Sequence, residues 1–574
     1  MRRRFGASAP GATALFAAAT AALFVVSRGK WCDAIIDAGS EWIVPDVLAR
    51  GGLLYRDVVH WFGPFTPYWN SLFFRAFGSS FGSLALAGAV SAAGIVGVLF
   101  LAARRLAGWR IAAVCAGLAV PALVFMPNSG GAILAMGYRI WHAAGFTLAA
   151  VLVASRRFER PAAGALAAGC LAGLAGLCRT EWGFVALAAA GLAGLTGGWT
   201  RRARLRLAVL AAFGYLATFG GTLAVFLVLA GAPAVLRDGH VLLTGIPRET
   251  RIFLLRYSGL SDWPRGVALM VYSAAMWLGA AAAVEALAAR GQEREGRQRR
   301  AVRLLALVAV MGVAGALVGF TGEVIFSAGP LVSLAALVTG VRRAPRPRAA
   351  LQAAAGFLGV VLSYRRPFHI GDAAYVAPPL LFAFASGASL CALAVARARG
   401  GAARHRLAGA FSAAGAVLVA AVFAARCLQY AGDDRVPISG TGGMLSSRAS
   451  EAAEIEVVAE TVRERTAPAE GLICFPEGQL FNYLAGRRVP IRHNLYIPGY
   501  LTKGNEGEIL DELRSRPPGA IVIWSRPAGE YGEGLFGVSY GREIQRWIDE
   551  NYDLPGKARP GGSARVGFRR RAPA

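Results

Sequence analysis

From about residue 10 to about residue 427 the chain repeats one feature: apolar runs close to 20 residues long, separated by short arginine-bearing stretches. A helix that crosses a bilayer needs roughly 20 mostly apolar residues, because each adds only about 1.5 Å of rise. About thirteen runs approach that length, near 10–27, 82–103, 109–126, 141–155, 162–178, 182–199, 207–230, 266–289, 304–320, 328–341, 349–363, 375–396 and 407–425. With 55% hydrophobic residues and a mean hydropathy of +0.47, a chain of 574 residues carries more apolar surface than a soluble fold can bury. The expected fold class is a polytopic α-helical membrane protein.

The formal net charge of +27 would in a soluble protein suggest nucleic acid. Here the arginines cluster at 2–4, 104–105, 156–157, 201–206, 290–303, 342–348 and 397–406, all on one side of the predicted spans. Positive-inside topology accounts for them, so that side is expected to be cytoplasmic and no nucleic-acid partner is implied. The N-terminus starts with Met1 and Arg2 to Arg4 before an apolar run, which imitates a secretory signal. The many later spans make it an uncleaved first anchor. The loops at 28–81, 127–140, 231–265, 321–327 and 363–374, and everything after 427, then share the opposite, periplasmic side of a bacterial inner membrane.

Two domains are expected, a transmembrane domain over 1–427 and a periplasmic α/β domain over 428–574. In the second, 446–466, 505–515 and 540–551 read as helices, and the apolar runs 471–475 and 519–524 read as buried strands. Gly440 to Gly443 reads as a flexible linker, because no strand precedes it and no P-loop lysine follows. The seven cysteines show no paired metal-ligand spacing and dictate no disulfide.

The loop 28–81 concentrates the chemistry. Asp33, Asp37 and Glu41 stand just beyond the first span, where carboxylates are costly to hold near hydrocarbon and so face water, a cavity or a substrate. A helical turn places Asp37 and Glu41 on one face. Pro45 fits the first turn of a helix running to Arg50, and Gly51-Gly52 stops it. Tyr55, Trp61 and Trp69 suit the membrane interface. Cations on the same side are Arg56, Arg139, Arg179, Arg365 and Arg366, with Asp57, His60, Glu181 and His369 beside them. Arg365 and Arg366 break the positive-inside pattern, and a guanidinium pair suits a phosphate.

The order Asp37-x-Gly39-x-Glu41, a short helix, Gly52-x-Leu54-Tyr55-Arg56-Asp57, then Gly63-Pro64 with Tyr68, Phe77 and Gly78 resembles the first periplasmic loop of the GT-C membrane glycosyltransferases. The similarity is to bacterial aminoarabinose-transferase-like and protein-mannosyltransferase-like enzymes, and it extends to the plan of many spans followed by a periplasmic α/β domain. It implies transfer of a sugar from a polyprenyl-phosphate donor to a lipid, glycan or protein acceptor. It also implies an acidic residue of the first loop as general base or acceptor-orienting carboxylate, which Asp37 matches best by position. Many relatives carry adjacent acidic residues, whereas these three are spaced by four, so the choice among Asp33, Asp37 and Glu41 stays open.

Plain structural roles compete with each of these. Asp33 suits a helix cap or solvated boundary, Arg179 and Glu181 a structural ion pair, and Arg365 and Arg366 lipid headgroups. His60, His142, His240 and His369 lack metal-ligand spacing, and no cofactor is required, although Asp37 and Glu41 offer a divalent metal ion two carboxylates. The competing function is a lipid-linked sugar flippase or another transporter. That class places its required charges inside the spans, whereas an enzyme places them in the outer loops.

Overall fold

The computed structural model describes residues 9–156, 161–196, 199–237, 245–257, 263–288, 327–344, 346–362, 377–398, 400–555 and 564–570, with a few isolated positions between them. It is a polytopic helical protein closed on one side by a small α/β domain. Among the described residues, six helices are long and apolar enough to cross a membrane, and six shorter apolar helices accompany them. The expected run at 304–320 lies outside the described residues.

The helices that frame the site are α1 (Ala9–Ser27), α2 (Gly39–Ala49), α3 (Phe65–Phe77), α4 (Phe81–Ala107), α5 (Trp109–Ala119), α6 (Tyr138–Ala154), α7 (Pro161–Cys178) and α8 (Thr180–Leu195). Their ends follow local chemistry. The Ser80 hydroxyl caps α4 by accepting from the Ser83 amide, and Gly108, at φ 86°, closes it. Small residues let the spans approach closely: a Cβ on Gly169 would sit 2.0 Å from the Ala211 carbonyl oxygen, and one on Gly173 would sit 2.7 Å from Thr218. The Gly-x-x-x-Gly spacing on α7 thus seats the helix Arg201–Tyr215 and the turn after it, a packing mode that replaces hydrophobic drive inside lipid.

The last long helix, Gly401–Ala431, runs past the expected boundary at 427. The glycines after it do not form a loose linker. Gly440, Gly442 and Gly443 adopt positive φ in the turn that joins β1 (Val436–Pro437) to β2 (Ser446–Ser447), and Arg28 donates to the Gly442 carbonyl at 2.7 Å. Lys30 donates to the carbonyls of Tyr430 and Asp433, and Arg435 donates back to the Lys30 carbonyl at 2.7 Å. The exit of α1 and the entry to the tail are therefore tied together.

In the tail, β3 (Leu472–Phe475) and β4 (Ala520–Ile523) pair in parallel, with every residue of both buried, as their unbroken apolar runs require. The sheet continues through β6 (Arg565–Arg569) to β5 (Tyr552–Asp553), both antiparallel additions, in the order β3-β4-β6-β5. Helices Ala449–Arg465, Leu480–Ala485, Glu506–Ser515 and Arg542–Asn551 complete it. One hydrophobic core contains Trp42, Leu84 and Tyr138 of the membrane part together with Leu472, Phe481 and Val522 of the tail. The tail is thus built onto the first loop rather than suspended from it.

Candidate functional site

The loop after α1 opens with Asp33, whose carboxylate accepts from the amides of Ile35 and Ile36 at 2.9 and 2.7 Å. That is an N-cap, which accounts for Asp33 structurally. A single π turn over Ala34–Ala38 follows, closed by the Ala38 amide donating to the Asp33 carbonyl at 3.1 Å, and it runs into α2. π turns widen a helix and re-aim side chains, and they recur at functional sites. Because the helix starts earlier than its proline suggests, Pro45 lies inside α2 and not in its first turn. It has no N–H to offer the Glu41 carbonyl.

Gly39 is explained by what packs against it. Its backbone is ordinary right-handed helix, φ −62° and ψ −42°, so no turn needs it. A Cβ there would lie 2.4 Å from the Leu480 amide nitrogen and 2.9 Å from the Gln479 carbonyl carbon. The glycine lets the tail helix Leu480–Ala485 seat end-on against α2, next to the turn Pro476-Glu477-Gly478.

Between α2, α3 and the tail lies a cavity of about 360 Å³. Asp37, Glu41, His60, Arg139, Arg179 and Glu181 all line it, so six of the expected site residues, drawn from three separate stretches of sequence, converge. Asp37 is buried and accepts a hydrogen bond from the Ser129 hydroxyl. Ser129 has φ 62° and follows Asn128 at φ 55°. A left-handed conformation in an L residue costs on the order of 1–2 kcal/mol, and the neighbours hold it: the Ser129 amide donates to the Trp31 carbonyl at 2.8 Å, and the Ser129 hydroxyl accepts from the Asp33 amide at 3.4 Å. The strained turn fixes the hydroxyl that bonds the Asp37 carboxylate.

Glu41 pairs with Arg139 at 2.8 Å, with side chains only 15% and 10% exposed. Burial pushes the Glu41 carboxyl up to about 7, against the pull of the Arg139 charge and hydrogen bond. Arg179 pairs with Glu181 at 2.6 Å. Both guanidiniums lie over the ring of Phe62, at 4.0 Å for Arg139 and 5.3 Å for Arg179. Phe62 is thus the platform on which two cations meet, Arg139 from α6 and Arg179 from the junction of α7 and α8.

Other expected residues fall elsewhere. Arg56 and Asp57 do not line the cavity. They pair with each other at 2.8 Å on the exterior, and Asp57 accepts the Leu53 amide at 2.7 Å, so they brace a turn. Tyr55 is fully buried and donates to the Phe62 carbonyl at 2.8 Å, which makes it a support for the cation platform and not an interfacial anchor. Trp61 stacks on Tyr500 of the tail at 3.6 Å, and Trp69 donates to Ser91 at 3.0 Å. His142 bridges Thr66 and Ser91 through its two ring nitrogens. Arg365, Arg366, His369 and His240 lie outside the described residues. All seven cysteines are free.

The tail supplies residues that the sequence reading missed: Glu477, Asn494, Tyr500, Arg526, Glu530 and Tyr531 line the same cavity. Glu477 directly follows Pro476 at the end of β3, and Arg526 lies just beyond β4. Loops at the carboxyl ends of parallel strands share one edge of a sheet, the usual place for ligand contacts in α/β folds. Arg526 sits between two carboxylates, 2.8 Å from Glu477 and 2.5 Å from Glu530. Burial raises Glu477 to about 7, opposed by Arg526.

Among the described residues, the one cluster with metal-ligand proximity is His493, Glu508 and Glu512, outside the cavity. Arg492 bonds both glutamates and Arg237 pairs with Glu508 at 3.1 Å, so two cations already balance the two carboxylates of the cluster. In the cavity, a divalent ion held by Asp37 and Glu41 would compete with Arg139 for Glu41, a poor fit for a cation.

No family model matches the sequence, and no curated protein matches it. Among solved structures, the chain is similar to ArnT from Cupriavidus metallidurans bound to undecaprenyl phosphate, at 15% identity and TM-score 0.46 over 97% of this chain and 98% of that one. It is also similar to the Archaeoglobus fulgidus oligosaccharyltransferase in complex with Zn and sulfate, at 15% identity and TM-score 0.47 over 89% of this chain and 67% of that one. A further similarity is to the oligosaccharyltransferase AglB of that organism with an inhibitory peptide and a dolichol-phosphate, at 13% identity and TM-score 0.46 over 89% and 69%. At these identities and scores the likenesses assign no substrate and no residue role to this chain.

Proposed function

We propose that this protein is a membrane glycosyltransferase that moves a sugar from a polyprenyl-phosphate donor to a lipid, glycan or protein acceptor on the side of the membrane where its tail lies, the periplasmic side of a bacterial inner membrane. The observation that carries the reading is the convergence of Asp37, Glu41, Arg139 and Arg179 on one cavity between the first loop and the tail. The charges sit in the first loop, in the first turn of α6 and at the α7–α8 junction, not at mid-span, which favours an enzyme over a transporter.

In the proposed reaction the acceptor hydroxyl gives its proton to the Asp37 carboxylate as its oxygen attacks the anomeric carbon. The bond from that carbon to the phosphate oxygen breaks, and the lipid phosphate leaves with the electron pair. Arg139 and Arg179 on Phe62 supply positive charge where the phosphate gains negative charge. Glu41 orients Arg139, and Ser129 orients Asp37. Arg365 and Arg366, with His369, are proposed as further contacts to the lipid phosphate. The reaction as drawn needs no metal.

The test is an assay of the purified protein with radiolabelled polyprenyl-phosphate sugars and a membrane-extract acceptor. Label is expected to leave the donor and enter the acceptor fraction. Label that stays in the donor across the hexose and pentose donors contradicts the proposal.

A further inference from the structure

Asn70 lies in the middle of α3 and lines the same cavity, one helical turn beyond Thr66. It is 1% exposed, and neither its amide nitrogen nor its amide oxygen has a hydrogen-bond partner among the described residues. Its lining neighbour Thr66 is already engaged, bonding His142 at 2.9 Å. An amide with both ends unpaired in a buried site is expensive, because water has been taken from a donor and an acceptor together. Such a group persists where a ligand completes it.

The chemistry of the side chain restricts that ligand. A primary amide presents a donor and an acceptor in one plane. A phosphate monoanion or dianion is chiefly an acceptor and is served by the guanidiniums on Phe62. Two neighbouring hydroxyls of a sugar both give and take, and so match both ends of the amide. Val44, Pro45 and Pro67 line the cavity alongside and offer apolar surface for the C–H face of a sugar ring.

We propose that Asn70 binds a pair of adjacent hydroxyls on the transferred sugar and so sets which sugars the cavity accepts; this rests on reading the cavity as the glycosyl-transfer site. It is a specificity residue and takes no part in proton transfer.

The experiment uses the full chain in lipid nanodiscs and follows thermal unfolding with decaprenyl phosphate alone, or with decaprenyl phosphate carrying mannose, glucose, galactose or arabinose. A ligand that binds only the folded state raises the midpoint with its concentration and affinity. For the wild type, at least one sugar-bearing lipid should raise the midpoint further than the bare lipid phosphate does. Asn70→Leu, similar in volume and without polar atoms, should unfold no earlier than wild type without ligand. It should keep its response to the bare lipid and lose the extra response to the sugar, with affinity falling about tenfold for each hydrogen bond lost. Asn70→Ala, which removes both ends of the amide without adding charge, should lose the same extra response; if Asn70→Leu does not fold, Asn70→Ala decides.

An undiminished sugar response in the variants, or a wild type that responds no more to any sugar-bearing lipid than to the bare one, overturns the assignment. The two claims separate cleanly. A sugar response lost in the variant, with no transfer by wild type, removes the transferase reading and leaves Asn70 as a sugar contact. Transfer with unchanged sugar preference in Asn70→Leu does the reverse.

Discussion

Gly39→Ala sets local helix propensity against the tertiary contact at that glycine. In a helix interior Ala is favoured over Gly by about 0.8–1 kcal/mol, and residue 39 has helical angles, so on local grounds the substitution stabilises. The tertiary contact opposes this. The new methyl would sit 2.4 Å from the Leu480 nitrogen and 2.9 Å from the Gln479 carbon, both backbone atoms that no rotamer change can move. Overpacking of this kind costs roughly 1–3 kcal/mol, so the net effect is a loss of up to about 2 kcal/mol. Relief requires the helix Leu480–Ala485 to shift, and Glu477 and the cavity wall move with it. Catalysis should therefore fall further than stability, since misplacement by about 1 Å can cost on the order of a hundredfold in rate. The assay is thermal unfolding of purified protein alongside sugar transfer. Gly507→Ala serves as the control, because a methyl added to that helical glycine would meet nothing within 4 Å and the change should be neutral or stabilising. A Gly39→Ala protein with wild-type or higher midpoint and wild-type transfer would refute the close-contact explanation.

Four further outcomes are expected. Because burial raises Glu41 to about 7 from 4.5, its stability contribution is complete below about pH 4.5 and is lost as pH rises through about 7; Glu41→Gln should flatten that part of the midpoint-versus-pH curve, and an unchanged slope would contradict the assignment. Transfer should rise through the same interval as Glu41 ionises and holds Arg139, and this limb should vanish in the variant. Arg526→Gln leaves Glu477, whose side chain is 4% exposed, without its cation. Loss of one partner of a buried pair costs about 3–5 kcal/mol, and the double variant with Glu477→Gln should recover most of it; purely additive effects would show that the two do not interact. Alkaline phosphatase fused after Ala574 should be active in cells, and a stable but inactive fusion would place the tail on the cytoplasmic side.

The apolar runs made the helical plan legible because a span declares itself by length and composition alone. Two parallel strands of the tail were equally visible, as unbroken apolar runs at 471–475 and 519–524. Short antiparallel strands at Tyr552–Asp553 and Arg565–Arg569 carry no such signal and depend on their neighbours. Asp37 and Glu41 were readable from local spacing, whereas their partners Ser129 and Arg139 lie more than ninety positions away and are fixed only by packing. Glu477 and Arg526 left one usable signal: each follows a predicted strand, and parallel pairing would put both at one edge. Gly39 has helical backbone angles and no local need to be glycine; its role, a surface that another backbone approaches, is visible only in the tertiary contact.

The central claim is that the Asp37 carboxylate drives a transfer reaction. Asp37→Asn keeps the shape of the side chain and its bond to Ser129 while deleting its basicity, so it isolates proton transfer. The measurement is transfer from a radiolabelled polyprenyl-phosphate sugar by wild type, Asp33→Asn and Asp37→Asn at matched membrane expression. A loss of about 10²–10⁴ in rate is expected for Asp37→Asn, with Asp33→Asn close to wild type at equal folding. Wild-type transfer by Asp37→Asn would contradict the account.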